Sequence, residues 1–233
     1  MVSDPTAGTP AGAGQDGDGG ALDAAETLRL IREQQERARD ATGPDGRLLF
    51  GAWGLAWLIG YLAMWTTART AGLPAAWAGW VFAGCIVGAM VFTIVHSVTR
   101  TAGVRGVSAR IGAMYGWTWF LAFLGLGVLL GAMGRAGAEP EIMAIAANGF
   151  AALITGLLYI AGGMLFEEYR MSAVGGWMLV TAVVAAFAGM PHTYLVMALA
   201  GGGGFLAMAV VEHVLRRRRR STSARTEGGV RSA

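Results

Sequence analysis

Five ionisable side chains, His96, Glu167, Glu168, Glu212 and His213, stand at the ends of long apolar stretches. Imidazole nitrogens and carboxylate oxygens are natural ligands for a divalent cation. If the segments that carry them converge at one level, His96, Glu168, Glu212 and His213 form a metal-ligand set. The competing interpretation is that charged groups at a membrane interface simply reach water at little cost. Little other chemistry is open to the chain. All 18 basic residues are arginine, which excludes a P-loop lysine, a Schiff base to pyridoxal phosphate or retinal, and a kinase-type ATP site. The three histidines at 96, 192 and 213 do not form an HExxH pair, no serine stands in GxSxG, and Cys85 lies alone in an apolar run, where it packs as a small hydrophobe. No nucleophile and base are recognisably spaced and no cofactor motif occurs. The expectation is therefore a non-enzyme without cofactors, an intramembrane metal-dependent enzyme being the exception that the His/Glu set leaves open.

The elements that would have to position these residues are membrane spans. With 55% hydrophobic and only 14% charged residues in 233, the chain is too apolar for an ordinary soluble domain. Six stretches reach the roughly 20 apolar residues that a bilayer core requires, near 48–66, 76–97, 111–133, 142–166, 172–190 and 193–215, the last two divided by Pro191. The spacing predicts an all-α six-helix transmembrane bundle over 48–215. Before it come a Gly-, Ala- and Asp-rich leader, 1–20, with almost nothing to bury, and an amphipathic helix, 21–41, closed by Gly43-Pro44-Asp45-Gly46. After it comes a basic tail, 216–233, expected to be disordered. Arg100, Arg105, Arg110 and Arg170 fall in alternate connections and Arg216 to Arg220 follow the last span, so the positive-inside rule places both termini on the cytoplasmic side of the cell membrane. An even number of spans agrees with this.

Glycine and aromatic residues suggest how the spans pack. Gly201 to Gly204 fall near the middle of the sixth span. Lipid enforces helix at that depth, and small residues let a neighbouring backbone approach closely, as would Gly84/Gly88, Gly112/Gly116 and Gly127/Gly131. The alternative is an unwound hinge lining a pathway, for which Asn148 and Thr155 are the polar candidates. The eight tryptophans cluster toward span ends and are expected to act mainly as interfacial anchors. Trp53-Gly54, Tyr115-Gly116 and Gly176-Trp177 recur 62 residues apart near the starts of odd-numbered spans, a pattern that three tandem helical hairpins would produce.

The stretches "LRLIREQQERARDATGPDGRLLFGAWGLAWLIGYL" and "PHTYLVMALAGGGGFLAM" resemble uncharacterised integral membrane proteins of high-GC actinobacteria. That resemblance implies a polytopic, loosely transporter-like protein and carries no defined catalytic motif. On the sequence, a small transporter or permease-like subunit is the first expectation, and a non-catalytic membrane anchor or regulatory partner of another protein is the alternative. The expected partners are the bilayer, anionic lipids at Arg216, Arg217, Arg218, Arg219 and Arg220, and a second copy or another protein through the 21–41 helix. Nucleic acid is not expected, because no binding fold or aromatic platform accompanies the basic run.

Overall fold

The computed structural model describes residues 24, 26–31, 34, 45–100 and 107–230. The chain divides into two units, Met1–Gly43 and Pro44–Ala233. In the first, the described residues 24, 26–31 and 34 are helical. The rest of the expected 21–41 helix and the 1–20 leader lie outside the described residues.

The second unit is all helix among its described residues. Helix α1 spans Gly46–Ala71, α2 Ala76–Arg100, α3 Val107–Arg135, α4 Pro140–Leu165 and α5 Tyr169–Ala188. The sixth span is composite: α6, His192–Val196, passes into a π-helical turn, Met197–Gly202, and then into α7, Gly203–Val230. Six helices are long and apolar enough to cross a membrane, the last as His192–Arg218, and the chain is a multi-pass membrane protein. Helix α7 continues through the arginines, because arginine is a good helix former and no proline interrupts the run.

Local chemistry explains the boundaries. Asp45 is the N-cap of α1 and its carboxylate accepts the Arg47 N–H, relieving one of the unpaired donors of the first turn. Pro140 occupies the start of α4, where its missing N–H costs nothing. The α5–α6 turn needs Gly189, at φ 64° and ψ −179°, a region essentially closed to residues with a side chain. Thr193, fully buried, then donates its hydroxyl to the carbonyls of Ala185 and Gly189, so the end of α5 meets the protein and not lipid.

Packing runs in the order α2, α1, sixth span, α5, α4, α3. The core is built mainly on the middle members: Trp57 and Tyr61 of α1, Met178 and Ala182 of α5, and Tyr194, Met197, Ala198 and Phe205 of the sixth span. Phe205 stacks with Phe50 and meets Trp57 and Tyr159 edge-on or tilted, with ring centroids 5.6–6.2 Å apart. Outer helices are different. Large apolar side chains such as Trp80, Val98, Met114, Trp117, Leu121 and Val128 are exposed along α2 and α3; that much apolar surface is tolerable only in lipid or against another membrane protein.

The aromatic positions of the 62-residue pattern each tie an odd helix to the helix that follows it. Trp53 Nε1 donates to Thr93 Oγ1 at 3.0 Å, Tyr115 OH to the Leu158 carbonyl at 2.7 Å, and Trp177 Nε1 to the Ala200 carbonyl at 2.8 Å. The two most extensive interfaces, however, are α1 against the sixth span and α4 against α5, both between different hairpins. Two of the tryptophans expected to be anchors do other work: Trp57 is a core residue, and Trp177 makes its hydrogen bond in the middle of the bundle.

Candidate functional site

The sixth span shows what its glycine run does. A methyl group placed on Gly202 would stand 2.8 Å from Leu58 N and 3.0 Å from Gly54 O, and one on Gly54 would meet Leu206 N at 2.9 Å. The backbones of α1 and the sixth span therefore touch. Gly201 leaves room for the Trp57 ring and Gly204 for the Trp177 indole, while Gly203 faces open space. Three of the four glycines serve packing, and the run is helical. It is not unwound, but it is not plain α-helix either: the Ala200 carbonyl, at the end of the π-helical turn, accepts the Gly203 N–H and the Trp177 indole N–H. A π-helical turn commonly marks a functional or strained point in a helix.

The other spacings that suggested close packing do not produce it. Gly84, Gly88, Gly112, Gly116 and Gly127 have nothing within 4 Å of a would-be methyl group, and Gly131 meets only Arg135 of its own helix. They lie on α2 and α3, which have few protein neighbours. Further glycines that meet other backbones are Gly60, Gly163, and the pair Gly156 and Gly175, where a methyl on either would lie under 3 Å from the other's carbonyl oxygen. Asn148 and Thr155 are both buried on α4. Asn148 Nδ2 donates to the Ala144 carbonyl one turn back at 2.7 Å, an interaction within its own helix.

At one end of the bundle, where α1, α3 and α5 begin and α2 and α4 finish, the ionisable residues do converge, with partners that the sequence reading did not anticipate. Buried Asp45 is bound by both Arg47 (Nη2–Oδ2 2.7 Å, Nε–Oδ1 3.1 Å) and Arg216 (Nη1–Oδ2 2.9 Å). Arg170 bridges Glu212 and Glu168, at 2.5 and 3.0 Å. The Arg47 guanidinium beside Asp45 holds its carboxyl well below the usual range, at about 2, against the opposing effect of burial and with help from Arg216. His96 Nε2 accepts the Asp45 backbone N–H at 3.0 Å, and Arg47 Nη1 faces His213 Nδ1 at 3.3 Å.

These contacts form a lattice of ion pairs. Glu168 and Glu212 turn to Arg170, His96 to a backbone donor and His213 to Arg47; among the described residues no group of three or more His, Cys, Asp or Glu side chains is placed to hold a metal ion. Glu167 takes a left-handed conformation, φ 55°, in the α4–α5 turn. Arg216, expected at the membrane surface, instead reaches into this lattice, while Arg217 and Arg218 are exposed and the side chains of Arg219 and Arg220 lie outside the described residues. Asp45 could have been found from the sequence, since an aspartate immediately before an apolar run is an N-cap signal; the choice of Arg47, Arg170 and Arg216 as partners, from 18 arginines, left no such mark.

Comparison with known proteins gives no match: no family model, no curated protein and no solved structure aligns significantly with the chain.

Proposed function

We propose that this multi-pass protein is a non-transporting subunit, an anchor or regulatory partner of another membrane protein, held in the cell membrane with both termini cytoplasmic. The observation that carries the reading is the direct backbone contact of α1 with the sixth span at Gly54 and Gly202. A carrier that alternates between openings needs elements that part from one another; here the central pair is locked at the closest approach helices allow. Asn148, Thr181 and Thr193, polar groups of the interior, donate to backbone carbonyls of their own or the adjacent helix, while the buried Trp57 and Trp65 indole N–H groups meet no acceptor among the described residues. The orientation is supported by Arg100, Arg110, Arg170 and Arg216 at the ion-paired end against Arg69 and Arg135 at the other. Mild solubilisation from native membranes, followed by native mass measurement, tests the role: a defined complex with a second membrane protein is expected, and a chain that runs solely as a single copy overturns it. Reporter fusions after residue 233 and within 136–139 test the orientation.

The π-helical turn favours a second reading, a small transporter or permease-like subunit in which the sixth span flexes at Met197–Gly202. Gly203→Ala separates the two, because the added methyl meets nothing while favouring plain helix. Loss of a cellular uptake or export phenotype with unchanged thermal stability would favour transport.

A further inference from the structure

The ion-paired end contains two imidazoles, and each has a ring nitrogen facing a donor. His96 Nε2 faces a donor, the Asp45 N–H, so that nitrogen must carry its lone pair. His213 Nδ1 faces the Arg47 guanidinium, which has only donors to offer. The Phe92 ring, stacked on His96 with centroids 5.6 Å apart, fixes the imidazole plane. A proton on either ring replaces an acceptor by a donor aimed at another donor.

Most carboxylates described at this end are already engaged by arginine. The ion-paired groups there, among the described residues, are Asp45 and Arg47 at the start of α1, Glu168 and Arg170 at the start of α5, and Glu212 and Arg216 on α7. Three carboxylates are already matched by three guanidiniums. Asp45, the carboxylate closest to both, is bound by two of those guanidiniums, and Glu212, next to His213 in sequence, is held by Arg170.

We propose that this end of the bundle is a pH-sensitive latch: neutral His96 fastens the end of α2, and neutral His213 the end of the sixth span, to the first turn of α1, and acidification releases both. Histidine is the one side chain that ordinarily changes charge between about pH 5 and 8, so the comparison that tests the latch is pH 7.5 against pH 5.5. The junction that opens carries the start of α1 and the end of α2.

The test uses the full chain in detergent or nanodiscs, comparing pH 7.5 with pH 5.5. Wild-type Tm should fall by roughly 4 °C on acidification. In the double variant His96→Gln, His213→Asn, whose amide oxygens take the places of Nε2 and Nδ1 without titrating, the Tm at pH 7.5 should stay near wild type and the acid fall should shrink to roughly 1 °C or less. His192→Gln, at the opposite end, should retain the full effect. A pair of spin labels at the exposed positions Leu48 and Val98, in a Cys85→Ala background, should show a longer or broader distance at pH 5.5, a reading that does not depend on the histidine variants folding. Equal Tm and equal distance at the two pH values overturns the latch, as does a double variant that loses as much stability as wild type or a His192→Gln variant that loses the pH effect.

Discussion

Gly202 and Gly88 occupy similar sequence: each sits in an apolar helix with another glycine close by, and each could serve a close helix crossing. At Gly202 the α1 backbone lies against the bare Cα; at Gly88 there is nothing within 4 Å of an added methyl. The contrast extends to whole regions. Most of the α1, sixth-span, α4 and α5 glycines meet a neighbouring backbone or side chain, whereas those of α2 and α3 mostly face outward. Small-residue spacing grants permission for close approach, and which helices use it is decided by the order in which the helices assemble.

The largest expected effect follows directly. Gly202→Leu must push α1 away from the sixth span and should lower stability by about 3 kcal/mol or prevent folding, while Gly88→Leu should change it by less than about 0.5 kcal/mol. Thermal unfolding in one detergent compares the two, and equal losses would erase the distinction between closed and open regions. Next is the ion-paired end that ties α1 to the sixth span. Asp45→Ala removes a cap and leaves two guanidiniums facing each other, for a loss of about 2–3 kcal/mol. Because the native carboxyl titrates at about 2, below its ordinary 3.8, its contribution is complete above about pH 4 and is lost as the pH falls toward 2. It amounts to about 2 kcal/mol. This acid window lies well below the histidine window, so a stability profile from pH 8 to 2 should show two separate descents. A profile with no descent below pH 4 would mean that Asp45 is not held by its arginines.

A smaller effect is expected at Trp177. Trp177→Phe keeps a ring against Gly204 but removes the N–H that the Ala200 carbonyl accepts, and should cost about 1 kcal/mol. An unchanged Tm would imply that the π-helical turn needs no help from α5. Gly203→Ala is the mildest: open space surrounds it, and alanine is the better helix former by about 1 kcal/mol, so stability should stay level or rise slightly. A clear loss there would place an unseen neighbour beside the open side of the sixth span.

Much of the architecture was legible from the residues alone. Six spans near 48–66, 76–97, 111–133, 142–166, 172–190 and 193–215 correspond to helices that are a few residues longer or shifted at either end, because apolar length in lipid specifies helix almost by itself: the backbone has no other way to satisfy its hydrogen bonds. The convergence of His96, Glu168, Glu212 and His213 at one end also followed from counting spans. Their chemistry did not, since a carboxylate serves a metal or a guanidinium equally well, and only the placement of Arg47, Arg170 and Arg216 decided between them.

Sequence by itself determined what each segment is, through composition and period, which are local properties. Tertiary structure decided what each residue meets. It set Gly202 against Leu58 and left Gly88 open, drew Trp57 into the core and left Trp80 outside, and gave the single Asp45 two arginines 171 and 2 residues away. Those outcomes depend on helix order and rotation, which are fixed by the summed contacts of all six spans and are written in no single stretch of the chain.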